Sequence, residues 1–407
     1  MTLPIMPMMN DSPVRPLPSP YAALWKLDPD CVFLNHGSFG ACPAAVLEKQ
    51  QEYRNRFESQ PIRFVLRELE ELMHATRTTL AELVNADPAD LVFVRNATEG
   101  VNTVFRSLRF LPGDEILFTS HLYGACKRVL EMVAETTGAR LVEVTCPFPI
   151  ASENEITGAL LSRVNARTRI ALIDHITSAT AIIQPVETLV RELDRLGVDT
   201  MIDGAHAPGS IPLNLENIGA AYYTANGHKW LCAPKGVAFL HVRRDRQRNI
   251  MPLAVSHAGH RAEPFTERFF WPGTHDPSAV LALGDAIRYM GSLVPGGWPS
   301  LMARNRALCL EAREMLCDIL SLPKPCPDEM IACMATFPLP APSTVQRIDY
   351  KGIEPLQELL NTSYGIEIPV WNWDHPPSRL IRIAVQLYNS IDQYHYLGRV
   401  LAATARH

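Results

Sequence analysis

The sequence predicts an α/β protein: a mainly parallel seven-stranded sheet covered on both faces in a large domain, with a smaller α+β domain at the C-terminal end. Three observations carry this expectation. Seven apolar runs, "LVFVRN", "DEILFTS", "ARLVEVTC", "RIALIDHI", "VDTMID", "AAYYTAN" and "GVAFLHV", recur between residues 91 and 242. Most are separated by helix-like segments, and strands that alternate with helices imply parallel pairing with helical crossovers. The last two runs are joined only by a short connection containing "APKG". That leaves no room for a crossover helix, so one strand there is expected to run antiparallel.

The elements around this sheet follow from composition and periodicity. The first twenty residues, "MTLPIMPMMNDSPVRPLPSP", hold six prolines and read as a flexible or wrapping arm. They lack the basic segment and apolar stretch of a secretion signal. From Ala44 to about Asn85 the pattern is long, charged and helical, and the texture changes to apolar runs after Pro88. Beyond "WPGTHDPSAV" a helical stretch reaches about Leu322 and leads through "PKPCPDEM" into a mixed tail.

Composition narrows the partners. With 38 basic and 43 acidic side chains the formal charge is −5, which gives no electrostatic case for nucleic acid or an anionic membrane. Nine scattered cysteines, odd in number and never spaced as CxxC, favour reduced thiols and a cytoplasmic location. No stretch reaches the eighteen apolar residues of a membrane span. A small molecule or another protein is the expected partner.

Four stretches place polar residues at strand ends, where open α/β sheets bind ligands. In "VFVRNATEGVNTVF" a strand leads to Asn96, Ala97 and Thr98 at a helix start. Free amides there suit an anion, although Asn96 or Thr98 could equally be an ordinary N-cap. In "VDTMIDGAHAPG", Asp203 ends a buried strand and His206 follows. The carboxylate could face a heteroaromatic nitrogen or cap the next turn, and the Asp/His pair is a weak metal signal. In "YYTANGHKW", Lys229 sits on a strand-to-strand turn beside His228, and burial would make it a Schiff-base lysine. In "RLIRIAVQLYN", Arg382 lies inside an apolar strand and needs a partner, either a substrate carboxylate or a structural acid.

Taken in order, these stretches resemble the class V aminotransferase group of fold-type I pyridoxal phosphate enzymes, and within it the isopenicillin N epimerase-like enzymes. The resemblance also rests on "FLNHGSFGACP", "HKWLCAPKG", "WPGTHDPSA" and "GIEIPVWNW". It implies an arm over 1–20, a segment 21–60 joining the small domain, a large cofactor-binding domain over 61–290 and a small domain over 291–407. The group usually has two small residues before the His-Lys pair. Here Asn226 takes the first place, which makes it an additional contact for phosphate or substrate.

The resemblance further implies roles. Lys229 carries pyridoxal 5′-phosphate and shuttles the Cα proton, while Asp203 pairs with the pyridine nitrogen and keeps it protonated. His206 is a further cofactor contact. Phosphate lies at Ala97 and Thr98 with His228 and Asn226, and Thr274 reaches it from a partner subunit, implying a homodimer with shared sites. Tyr123 stacks on the cofactor face, and Thr177 and Ser178 reach the ring oxygen or substrate. Arg382 takes the α-carboxylate of an amino-acid substrate, with Asn35 and His36 lining the same pocket. Trp371, Trp373, Asp374 and His375 are where side-chain selection is expected.

The branch of chemistry is less determined by these residues. A persulfide-forming desulfurase needs a mobile cysteine shortly before Arg382, and residues 334–407 contain none. Epimerisation needs an acid or base opposite Lys229, for which His36, His175 and Tyr123 are candidates. It is the first reading, with a C–S or other β-eliminating lyase or an aminotransferase as alternatives. A metal-dependent hydrolase built on Asp203/His206 or on His257/His260 is the reading of a different class, and it leaves Lys229 and Arg382 without roles.

Overall fold

The computed structural model describes residues 15–257, 259–340 and 353–404. Most of the proline-rich arm therefore lies outside the described residues. Its last part is fixed: Ser19 donates its amide to the Tyr388 carbonyl, and Ser390 donates its hydroxyl to the carbonyl of Leu17.

The chain enters through strand β1 (Val32–Phe33) and the single turn α1 (His36–Phe39), followed by helices α2 (Ala44–Ser59), α3 (Pro61–Arg67) and α4 (Leu69–Val84). The sequence pattern reads as one long helical stretch here. The structure breaks it at Gln60 and Glu68, the first break falling before Pro61, because proline cannot donate into a continuing helix.

Seven strands follow: β2 (Leu91–Val94), β3 (Glu115–Thr119), β4 (Arg140–Val144), β5 (Thr168–Asp174), β6 (Asp199–Asp203), β7 (Tyr222–Asn226) and β8 (Ala238–Val242). Between them run α5 (Ala97–Ser107), α6 (Gly124–Thr137), α7 (Glu153–Leu161), α8 (Val186–Arg195) and the short α9 (Leu215–Ile218). These strands match the seven apolar runs. Their order is β2-β8-β7-β6-β5-β3-β4, all parallel except β8, which is antiparallel to both neighbours. The connection from β7 to β8 is indeed too short for a crossover. Helices cover both faces, as α8 illustrates by burying Val186, Leu189, Val190 and Leu193 at helical spacing.

After β8 come α10 (Phe265–Arg268), α11 (Ser278–Ser292) and α12 (Gly297–Leu320), the last two separated where Gly296 takes φ 87°. Then follow β9 (Met334–Pro338), α13 (Pro355–Tyr364), β10 (Ile366–Glu367), β11 (Val370–Asn372), β12 (Arg379–Ala384) and α14 (Ile391–Thr404). Strands β11, β12 and β9 form an antiparallel sheet in that order, and β10 pairs in parallel with β1 near the other end of the chain.

Two close approaches position the site. Helix α5 lies so near β7 that a Cβ on Gly100 would stand 2.1 Å from Thr224 Oγ1. Gly40, at φ 70°, brings the N-terminal segment onto the turn after β7, where a Cβ would stand 2.2 Å from the His228 carbonyl oxygen. Replacing Gly100 with alanine forces α5 away from β7 and is expected to cost about 1–3 kcal/mol. The check is urea unfolding of the full chain, and an unchanged midpoint would contradict this packing.

Candidate active site

Lys229 is presented by the tight turn between β7 and β8. Gly227 donates its amide to the Val237 carbonyl, Cys232 donates to the Lys229 carbonyl, and Cys232 itself takes φ 58°. The amine lies 3.1 Å from His206 Nε2, and His206 Nδ1 is 3.4 Å from the indole nitrogen of Trp230. Burial, and then the nearby Arg382 guanidinium, lower the pKa of Lys229 to about 7, against a smaller opposing pull from Asp203. A lysine in this state offers a nucleophilic lone pair at neutral pH.

Asp203 lies at the end of β6, in register with Asp174 at the end of β5. Both are buried, and burial raises both carboxyls; Asp203's charge raises Asp174 further. Asp203 accepts from the Cys126 thiol at 3.2 Å and from the Ala205 amide at 3.0 Å, while Asp174 Oδ2 has no partner among the described residues. Neither forms a salt bridge among the described residues. Two adjacent buried carboxyls without a cation favour a positively charged guest.

Arg382 is buried on β12 beside a cavity of about 370 Å³. One terminal nitrogen donates to the Ser178 carbonyl and to its hydroxyl at 3.2 Å; the other donates to Ser38 Oγ at 3.2 Å. Its Nε has no partner, and no carboxylate pairs with it among the described residues. Burial lowers its pKa to about 10. Tyr123, Ser38, Ser178, Trp371 and Trp373 share the cavity wall, and Trp371 stacks with its ring centroid 5.6 Å from the guanidinium. Asp374 and His375 line the same cavity.

At the start of α5, Asn96 caps the Glu99 amide at 2.9 Å, and the Ala97 amide donates to Asn226 Oδ1 at 2.9 Å. Asn226 thereby ties the helix start to the end of β7; Thr98 is half-buried next to it. His228 donates Nδ1–H to the Val237 carbonyl at 2.9 Å, and burial lowers its pKa to about 4. The neutral ring therefore presents a lone pair at Nε2, and it becomes a second donor only on gaining a proton.

Four expectations need correction, those for His36, Asn35, Thr177 and His175. His36 does not face the cavity: it is fully buried, accepts from Tyr388 at Nδ1 (2.8 Å) and donates Nε2–H to the Lys229 carbonyl (3.0 Å). It fastens the N-terminal segment to the lysine turn. Asn35 is likewise occupied, donating to Glu367 and accepting from Ser38. The Thr177 hydroxyl is committed to its own turn, shared with Thr180 at 2.7 Å and accepting from the Ile182 amide at 2.9 Å. His175 is buried against the Tyr223 hydroxyl at 2.8 Å, so of the three opposite-face candidates only Tyr123 reaches the cavity. Thr274 is exposed in the loop before α11, outside the cavity wall.

Sequence reasoning missed Ser38, Cys126 and Trp230. Each lies inside a stretch that drew attention for a neighbour, and only the folded arrangement brings them to Arg382, Asp203 and His206. Among the described residues the one cluster with ligand-like spacing is Asp90, Glu216 and His241. It contains neither Asp203/His206 nor His257/His260.

A mainly parallel sheet with a buried lysine and an acid pair at its carboxyl edge, met by a buried arginine that has no carboxylate partner among the described residues, is the arrangement expected of a fold-type I pyridoxal phosphate enzyme. The chain belongs to the aminotransferase class-V family, which matches residues 32–316. It is 33% identical to the isopenicillin N epimerase of Streptomyces clavuligerus over 93% of this chain and 96% of that protein. It is 32% identical to a probable chloroplastic L-cysteine desulfhydrase of Arabidopsis thaliana over 93% and 84%. A cysteine desulfurase from Thermococcus onnurineus NA1 shares the fold with a TM-score of 0.78, at 18% identity and over 96% and 99% of the two chains. No helix among the described residues is long and apolar enough to cross a membrane.

The lowered pKa of Lys229 sets a sign for stability. The unfolded chain keeps that proton up to about its ordinary value of 10.5, whereas the folded, cofactor-free chain releases it near 7. Unfolding takes up a proton between those values, so this contribution to stability rises with pH across the window and is at its lowest below 7. Denaturant unfolding of the cofactor-free chain is expected to show Lys229→Met gaining most over wild type at pH 7 or below, with the gain shrinking towards pH 10. A gain independent of pH would contradict the dry lysine.

Proposed function

We propose that this chain deprotonates Cα of an amino-acid substrate, as an isopenicillin N epimerase-like enzyme, in a site shared between two subunits. The observation that carries the reading is Arg382: a buried guanidinium, without a carboxylate partner among the described residues, beside a cavity that also adjoins Tyr123 and Ser178. A substrate α-carboxylate supplies what that side chain lacks.

The residues present fit pyridoxal phosphate. Bound there, the cofactor supplies an electron sink for negative charge at Cα. Lys229 holds it covalently and exchanges the Cα proton at Nζ. Asp203, kept in place by Cys126 and Ala205, would pair with the pyridine nitrogen. The start of α5 at Ala97 and Thr98 would hold the phosphate, with Asn226 fixing the helix through the Ala97 amide and His228 a second donor in its protonated form. Thr274 completes the cup from the partner subunit, which is why its exposure in one chain supports a homodimer. Ser178 and Ser38 orient Arg382, and His206 sets the state of the lysine amine.

In the same reading residues 61–290 form the large domain, 291–407 the small one, and 21–60 the segment joining it. The reduced cysteines favour the cytoplasm, and all nine are free. Tyr123, half-exposed towards the cavity, is the acid for the second face of Cα. β-Elimination is the second reading: with His36 and His175 turned inward, Tyr123 is the one of the three candidates that reaches the cavity, and elimination needs only Lys229 and room for a leaving group.

Borohydride reduction followed by peptide mapping is expected to give one cofactor adduct, on Lys229; an adduct elsewhere, or none, would sink the assignment. Incubation with amino acids in heavy water separates the branches. Deuterium at Cα with inversion supports epimerisation, keto acid with ammonia supports elimination, and keto acid only with an amino acceptor supports transamination. Arg382→Ala is expected to cost about 2–4 kcal/mol, on the order of 30- to 1,000-fold in kcat/KM, mainly through KM. Steady-state kinetics with an unchanged KM would remove Arg382 from substrate binding.

A further inference from the structure

Trp230 follows the lysine directly and is fully buried, with its ring 4.9 Å from that of His36. Its indole nitrogen can only donate. The acceptor it meets is His206 Nδ1 at 3.4 Å, and the other ring nitrogen of His206 lies 3.1 Å from Lys229 Nζ. The imidazole thus stands between a fixed donor and the amine on which the site depends.

The two tautomers of His206 have opposite consequences. With the proton on Nδ1, two N–H groups would face each other in a buried place, leaving both unsatisfied. Nε2 would then offer a lone pair to Lys229, which favours the ammonium. With the proton on Nε2, the indole bond is satisfied and a donor faces Nζ, which favours the neutral amine. Burial holds His206 itself neutral, its pKa well below the ordinary value.

We propose that Trp230 is a positioning residue that locks His206 as the Nε2–H tautomer, so that Lys229 faces a hydrogen-bond donor and stays a free amine. This deepens the function proposed above, since it assigns the device that keeps the cofactor lysine nucleophilic. The other groups facing Lys229 are Arg382 from β12, Asp203 from β6, Asp174 from β5 and Cys126 from α6. Arg382 acts in the same direction as the lock, while Asp203, Cys126 and Asp174 act against it. Trp230 itself is fully buried and lies outside the cavity wall.

The test reads Lys229 in the full-length chain freed of cofactor, through the pH dependence of its acetylation measured by peptide mapping. Trp230→Phe is expected to raise the midpoint by about one pH unit, a tenfold loss of free amine at a given pH below it. His206→Gln, whose amide can accept from the indole and donate to Lys229, is expected to stay near wild type. A Trp230→Phe protein that loses thermal stability but leaves the Lys229 midpoint unmoved overturns the inference, since packing alone would do that. If that variant does not fold, ring-nitrogen shifts of 15N-histidine in the wild-type chain decide, with His206→Gln identifying the signal. A bare Nδ1 supports the lock, and a protonated Nδ1 overturns it. With the borohydride adduct still on Lys229, that failure would leave the proposed function standing.

Discussion

The structure turns on the cost of holding charge in a dry place. At the carboxyl edge of the central sheet the chain gathers an amine, two carboxyls and a guanidinium that water would ordinarily solvate, and it gives them few protein partners. Lys229 answers by sitting near neutrality, with a pKa of about 7. Asp174 and Asp203 are pushed towards their protonated forms, and among the described residues Arg382 donates only to hydroxyl and carbonyl oxygens. Each group is costly alone. In the proposed reading, a phosphorylated, ring-protonated cofactor and a zwitterionic amino acid would supply the missing opposite charges, and binding would relieve several of these costs together.

Holding that arrangement falls to residues outside the cavity wall. His36 donates to the Lys229 carbonyl, Gly40 permits the segment to lie against His228, and Gly100 lets α5 press onto β7. The turn is also braced from within, by Asn226 on the Ala97 amide and by Val237 on Gly227 and His228. A lysine on a freely moving loop would find water, and its amine would regain a proton.

Much of this was legible in the sequence. The seven strands, the reversed β8, the helix start at Ala97 and the strand-borne Arg382 follow from periodicity, connection length and turn chemistry. The positions of Lys229 and Asp203 are local: each sits at a strand end. What sequence could not supply is direction. His36 and His175 read as available acids, yet their ring nitrogens face Tyr388, the Lys229 carbonyl and Tyr223. Ser38 and Cys126 escaped notice because a hydroxyl or thiol acquires a role only from what folds against it. The long helical pattern from Ala44 likewise hid two breaks, since charge periodicity continues across a proline.

The pairing of β1 with β10 places the site under a temporal constraint. Val32 aligns with Ile366, and His36 meets Tyr388, 352 residues further along. The segment that clamps the lysine turn is made first by the ribosome and can be fixed only when almost the last strand exists. Contacts of such long sequence separation close late because the loop entropy must be met before they form. During synthesis the central sheet can form while its carboxyl edge is still open to water, and the burial that lowers the Lys229 pKa is then incomplete. The dryness around the amine thus depends on two segments far apart in the sequence meeting each other.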